Sequence, residues 1–480
     1  MRADPAALAR GVLAVGFDGA DPGAAPLEAL RAFGPGAITL FARNVGPPEA
    51  LRELVAALRG LGQPPPLIGL DQEGGRVARV REGVAQLPSA MALGATGDLG
   101  LTEELGALLG RDLARLGIAL DFAPVADLAL EPASTVIGTR AYGDDPERVA
   151  AFAGAFARGL ERGGVAAALK HFPGHGHTTA DSHTELPVVP LSRAEWAARD
   201  RPPFLAGMQA GAGLVMSGHL DVPALDKGVP ATFSRTVMTD VLRKQLRFTG
   251  VAVTDAMNMA PAMKWPPGEA AVRALNAGND LLLMPPDITA ARDGILAALK
   301  AGDLSRERLV EAVTRVLTLK FRTAGKPQPD LASVNSPDHQ RVVREAAAAS
   351  VTVLRGPCSA PLIGGPVTVT ASGGREVARV TLVKALQAAG VPVQSAGGKV
   401  VHLIGYGDRS TDLSLSAEMT VGMDRPDLLS AARSPVLVAT YSSSPASLSA
   451  LADVIAGKAK APGRSPVAVT GLPRSACVKN

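Results

Sequence analysis

Aromatic residues make up only 3% of the chain, with two tryptophans and three tyrosines. That is too few for a stacking platform running along a polymer. Cysteine is scarcer still, Cys358 and Cys477 being the whole complement. Two such distant residues exclude a disulfide framework and a four-thiolate zinc site, and the expectation is a pair of buried free thiols without a role. No run of 18 apolar residues occurs, so nothing in the sequence predicts a membrane-spanning helix. The N-terminal stretch MRADPAALARGVLAVGF is interrupted by Asp4 and Pro5 and offers no signal-peptide pattern, so a cytoplasmic location is expected. An excess of one charge is also missing: 49 Lys and Arg stand against 45 Asp and Glu, a net +4 not gathered into runs. Nucleic-acid binding by bulk electrostatics gets little support from that balance. No GxGxxG or GxxxxGKS loop follows any strand candidate, which argues against a nucleotide fold.

What is present is globular. The 480 residues are 47% hydrophobic and 20% charged, enough apolar material for two to four domains, or for one large barrel with a companion. Eight short apolar runs alternate with amphipathic segments: 11–17, 36–42, 66–70, 118–124, 165–170, 213–218, 250–255 and 280–285. Each is apolar on both faces, as buried parallel strands are. Helical patterns lie between them, including 47–62 and 144–164, the latter with Asp145 as N-cap and Pro146 at its first position. Ser192–Glu195 reads as a capping box. Eight strand–helix units predict a (β/α)8 TIM-type barrel over residues 1–325. A Pro- and Ser-rich linker is expected at 326–338, and a smaller C-terminal α/β domain at 339–480. In that domain a helix (HQRVVREAAAAS) precedes strands at VTVLR, PVTVTA, KVVHLIGYG, PVLVATY and SPVAVTG, with 408–450 otherwise turn-like.

The ends of the barrel runs carry ionisable groups: Asp71, Asp127, Lys170 with His171, His219 and Asp255. In this fold the chemistry collects at the C-terminal ends of the strands, and five such ends on one face are hard to produce by accident. Residues 171–183, HFPGHGHTTADSH, hold four of the seven histidines. Three readings are open: a metal site using several imidazoles with Asp181, a structural loop, and a mobile catalytic loop whose His is oriented by a carboxylate. Asp255 reads equally as a helix N-cap or a catalytic group, and ion pairing is the plain alternative for Arg76, Arg79 and Arg140.

The motifs then point to a family. GAITLFARN, LDQEGGRVARV, DFAPVADL, STVIGTRAY, ALKHFPGHGHTTADSHTELP, VMSGHLDVPALD, PATFS, GVAVTDAMNM and EAAVRALNAGNDLLLMP run in order across 36–285. The sequence resembles glycoside hydrolase family 3, specifically its β-N-acetylglucosaminidase branch, with KHFPGHG…DSH as the specific signal. The resemblance implies a retaining exo-hydrolase of terminal β-linked GlcNAc from peptidoglycan fragments such as muropeptides. It implies Asp255 as nucleophile, His183 as acid/base on a mobile loop, and Asp181 assisting His183. Asp71, Arg79, Arg140, Lys170 and His171 would hold the sugar, and neither metal nor organic cofactor would be needed. A phosphorylase on the same site is the alternative, since a His acid/base does not repel phosphate. The second domain is shorter than is usual for the family, and a structural or substrate-shaping role is expected of it.

Overall fold

The computed structural model describes residues 4–21, 23–324, 333–358 and 361–477. All eight expected barrel runs form strands: β1 (Leu13–Val15), β2 (Ala37–Thr39), β3 (Leu67–Leu70), β4 (Leu120–Asp121), β5 (Ala166–Phe172), β6 (Leu214–Ser217), β7 (Val251–Thr254) and β8 (Leu282–Leu283). They pair in parallel in the order β8-β1-β2-β3-β4-β5-β6-β7. A parallel bridge between Val253 and Leu281 brings the two edges together, so the sheet is nearly closed into a barrel. Apolar side chains such as Phe122, Leu214, Val253 and Leu281 are buried in it.

The helices that deliver the site strands are specified locally. The helix before β5, Pro146–Gly163, begins where Asp145 accepts a hydrogen bond from the Arg148 amide and ends at Gly164 in the left-handed region. Its partner, Leu99–Arg115, leads into β4. The two helices touch through Gly106, Gly110, Gly159 and Gly163, where a Cβ would meet opposing backbone at 2.3–2.8 Å. Side chains there would force the helices apart and shift the strands that follow them.

A second sheet of five strands follows: β9 (Thr352–Arg355), β10 (Val367–Ala371), β11 (Lys399–Ile404), β12 (Met419–Gly422) and β13 (Val436–Ala439), ordered β9-β13-β12-β11-β10. Only β9 runs antiparallel to its neighbour. Two expectations need correction here. The short buried strand β12 lies inside the stretch read as turn-like, its four residues flanked by Ser, Asp and Pro. SPVAVTG forms no strand, because its backbone is engaged by the barrel: Asp144 N–H donates to the Pro466 carbonyl and Ala468 N–H to the Asp144 carboxylate. The linker expected at 326–338 lies outside the described residues up to 332. The next helix, Pro337–Ser350, is capped by Ser336 and buries Val342, Val343 and Ala346 with the barrel core.

The two domains share a buried cluster in which Met91, Ala92 and Ile137 of the barrel meet Leu437, Ala439 and Tyr441. Ser89 Oγ donates to the Tyr441 carbonyl across the same contact. The cysteines are not free thiols, contrary to expectation: Cys358 and Cys477 form a disulfide, with Cα atoms 5.1 Å apart. Sequence separation hid this, because the C-terminal segment returns to β9, where Ala476 N–H donates to the Val353 carbonyl. Such a bond is favoured in oxidising compartments and gives the cytoplasmic expectation no support.

Candidate active site

Asp71, Lys170, His171, His219 and Asp255 all stand at or just past the C-terminal ends of β3, β5, β6 and β7. The centre of the site is a buried ion network. Lys170 Nζ lies 2.6 Å from an oxygen of Asp71 and 2.6 Å from one of Glu73. Arg79 reaches the other Asp71 oxygen at 3.2 Å, while Arg140 grips Glu73 in a two-pronged pair at 2.7 and 2.8 Å. Burial works to raise the Asp71 carboxyl, but Lys170 and then Arg79 outweigh it and hold it below its ordinary value. The same balance lowers Glu73, with Arg140 and Lys170 as the cations. Burial alone would discharge Lys170; Asp71 and Glu73 reverse that and keep it an ammonium.

Glu73 was missed in the sequence. The usable signal was the alternation Asp71–Gln72–Glu73, since residues i and i+2 of an extended segment share a face. Asp127, noticed only as a strand end, also has a definite place. It accepts from His171 Nδ1 at 2.7 Å and from the amides of His171 and His175. Despite burial, the His171 imidazole keeps the Asp127 carboxyl low.

The four clustered histidines have four different partners: His171 with Asp127, His175 with Ser182, His177 with Asp200, and His183 with Asp181. Among the described residues no three His, Cys, Asp or Glu side chains converge as a metal site would require. His175 and His177 secure the base of the loop, where Gly174, at φ +133°, packs so tightly on Asp200 that a Cβ would lie 2.6 Å from its carboxylate. Burial holds the His175 imidazole down at about 4, so it is neutral. His183 is far more open, its side chain 67% exposed, with Nδ1 2.7 Å from Asp181. The Asp181 carboxyl stays low: its modest burial is offset first by the His183 amide and then by the His183 ring.

Asp255 follows β7 directly, and no helix begins there; the next helical element is a single turn at Ala262–Lys264. The N-cap alternative is thereby removed. Burial would raise its carboxyl, yet the imidazoles of His171 and His219 outweigh that and keep it anionic. His219 is fixed behind it, Nε2 on the Ala256 carbonyl at 3.0 Å and Nδ1 with Thr232 at 2.9 Å. The histidine loop is tied to the same turn, because Ala260 N–H donates to the His183 carbonyl.

Asp121, buried at the end of β4, behaves differently. One oxygen accepts from the Gln72 amide at 2.8 Å, the other has no partner, and burial raises the carboxyl well above its ordinary range. A folded-state pKa above the unfolded one means proton uptake on folding. The resulting stability is lost as pH rises from about 4 through the folded value. Asp121→Asn keeps the acceptor and removes the titration. Its urea midpoint is expected to exceed wild type at pH 8 and to approach it at pH 4; equal midpoints at both would show Asp121 ionised in the fold.

The family profile described as "Glycosyl hydrolase family 3 N terminal domain" matches residues 21–319. The chain belongs to glycosyl hydrolase family 3. Within family 3, a solved β-N-acetylglucosaminidase from Paenibacillus sp. str. FPU-7 is 31% identical, with a TM-score of 0.89 covering 98% of this chain and 99% of that one. The smaller second domain is therefore shared with that protein. The beta-hexosaminidase of Pseudomonas aeruginosa (strain LESB58) is 41% identical over 269 residues, 55% of this chain and 79% of that protein. Beta-hexosaminidase A of Pseudoalteromonas piscicida is 35% identical over 371 residues, 70% of this chain, and the match spans 62% of that longer protein.

Proposed function

We propose that this family 3 protein is an exo-acting, retaining β-N-acetylhexosaminidase that removes terminal non-reducing β-linked GlcNAc from peptidoglycan fragments. The named relatives and the family support hydrolysis of β-linked hexosaminides. One observation carries the mechanism: the His183–Asp181 pair sits on a loop bonded to the turn just after the anionic Asp255.

The anionic Asp255 attacks the anomeric carbon while His183, as imidazolium, donates its Nε2 proton to the departing oxygen. Asp181 accepts from Nδ1, which fixes the orientation of the ring and leaves Nε2 to carry the transferred proton. The glycosyl-enzyme is then opened by water that gives a proton to the now neutral His183, releasing the sugar with its β-configuration. A His in place of the second carboxylate is a variation on the usual pair. Asp71, Arg79, Lys170 and His171 offer the hydrogen bonds for sugar hydroxyls. Arg140, spent on Glu73 and the Val136 carbonyl, acts by positioning that network.

The test is kcat/KM on 4-nitrophenyl N-acetyl-β-glucosaminide against the matching β-glucoside in phosphate-free buffer. A preference of about 10²-fold or more for the acetamido sugar is expected, as for a site built to hydrogen-bond a substrate group. Equal or reversed preference would overturn the assignment. Because His183 is uncharged when the second step begins, phosphate is not repelled, and phosphorolysis is the competing reading. Release of the sugar 1-phosphate on adding phosphate would favour it.

A further inference from the structure

Among the described residues the His183 ring has a single hydrogen-bond partner, Asp181, and both side chains are open to solvent, 67% and 44% exposed. That pair cannot by itself fix where the ring stands over Asp255, so the loop that carries it must. Position matters here, because a misplacement of about 1 Å can cost about 10²-fold in rate.

Behind the loop sits a buried carboxylate that no step of the reaction uses. Asp200 joins the helices Arg193–Arg199 and Arg201–Gln209, yet its side chain makes no cap bond to the second. It is 2% exposed; Oδ2 meets His177 Nε2 at 2.9 Å, and Oδ1 is buried with no partner. Burial raises the carboxyl, and the bond to His177 opposes that rise. A buried acid with an unsatisfied oxygen costs stability, and joining two helices does not require one.

The surrounding contacts turn Asp200 into a rigid seat for the loop. Trp196, buried on the first of those helices, donates from Nε1 to the Pro173 carbonyl at 3.0 Å. Gly174, at φ +133°, lies too close to Asp200 for any side chain to fit between them. His175 Nε2 lies 3.2 Å from Ser182 Oγ, which ties the seat to the residue before His183. From there the Asp181 carbonyl accepts from the amides of Thr184 and Glu185, closing a turn around the acid/base.

We propose that Asp200, acting through His177, is a positioning residue for this reaction: it seats the loop so that His183 reaches the departing oxygen. The inference rests on the hydrolase reading above and adds to it what places the acid. Asp200 itself is sealed from solvent and touches neither sugar nor leaving group.

The test uses two substrates that differ in their need for an acid. The phenolate of 2,4-dinitrophenyl N-acetyl-β-glucosaminide departs unaided, whereas the oxygen of phenyl N-acetyl-β-glucosaminide must be protonated as it leaves. The readout is the ratio of kcat/KM, dinitrophenyl over phenyl, which reports the glycosylation step and does not depend on the folded fraction. His183→Ala is expected to raise the ratio by about 10²-fold or more, the ordinary worth of general acid catalysis. Asp200→Ala and His177→Ala are each expected to raise it by about tenfold, a part of that contribution. Asp200→Asn, which still offers His177 an oxygen, should stay close to wild type. Should Asp200→Ala not fold, His177→Ala decides, since it leaves Asp200 in place. A group that only supports the fold would slow both substrates alike, so an unchanged ratio in either folded alanine variant overturns the inference and leaves the hydrolase reading standing. A rise in Asp200→Asn as large as in Asp200→Ala would overturn the route through His177. An unchanged ratio in His183→Ala, or no cleavage of either glycoside by the wild type, overturns the acid/base reading and this inference together.

Discussion

Asp255→Asn is expected to lower kcat on 4-nitrophenyl N-acetyl-β-glucosaminide by about 10⁴-fold or more, the scale on which removal of a catalytic nucleophile falls. The carboxylate lies buried at the end of β7, held anionic by the imidazoles of His171 and His219. Asparagine keeps the side chain's size and the oxygen that accepts from the Ala256 amide, so the fold should survive; an unchanged circular dichroism melt would confirm it. A truncated variant, Asp255→Ala, separates covalent catalysis from simple charge stabilisation. There azide should restore turnover and yield a glycosyl azide of the α-configuration, because the small anion enters the space that the carboxylate vacated. A loss below tenfold, or azide rescue with retained configuration, would remove Asp255 from the nucleophile's role. The low pKa also sets the pH profile: loss of activity on acidification should not come from Asp255 until well below its ordinary value near pH 4.

Lys170→Met is expected to cost about 3–5 kcal/mol of stability together with most of the activity. Lys170 is 1% exposed and bridges Asp71 and Glu73. Removing one partner of a buried ion network leaves uncompensated charge, which is the expensive case. The hydrogen bonds that Arg79 and Arg140 make to the two carboxylates remain, so the protein should still fold, with a lowered urea midpoint. Adding Glu73→Gln to Lys170→Met removes one of the stranded carboxylates and should recover part of the stability and none of the activity. An unfolding free energy within about 0.5 kcal/mol of wild type in Lys170→Met would mean that the network is solvated and unimportant to the fold.

The barrel was legible because its information is local. Each strand is an apolar run bounded by polar residues, and period and length suffice to find it. The helix starts at Asp145 and Ser192 were legible for the same reason, a cap being a contact over three residues. The placement of Asp71, Lys170, His171 and Asp255 on one face followed from the strand ends without any distance being known. β12 escaped notice because four residues among turn formers carry no periodic signal. SPVAVTG misled because an apolar run says nothing about whether its backbone finds a strand or a loop as partner.

Pairing, by contrast, exists only in the folded chain. Glu73 joins Arg140 across 67 residues of sequence, Asp127 joins His171 across 44, and Cys358 meets Cys477 across 119. Composition could not reveal these contacts, since any carboxylate can serve any cation until the chain brings them together. Charge states were likewise undecided before folding. Asp71 and Asp121 are the same residue type near the ends of adjacent strands, yet at Asp71 Lys170 and Arg79 outweigh burial and hold the carboxyl down, while at Asp121, which has no ion-pair partner, burial wins and pushes it up. Strand ends alone bring Asp71, Lys170, His171 and Asp255 to one face of the barrel; the packed structure adds Glu73 to them and decides which groups are charged there, because desolvation and partner distance exist only after the strands have closed into a barrel.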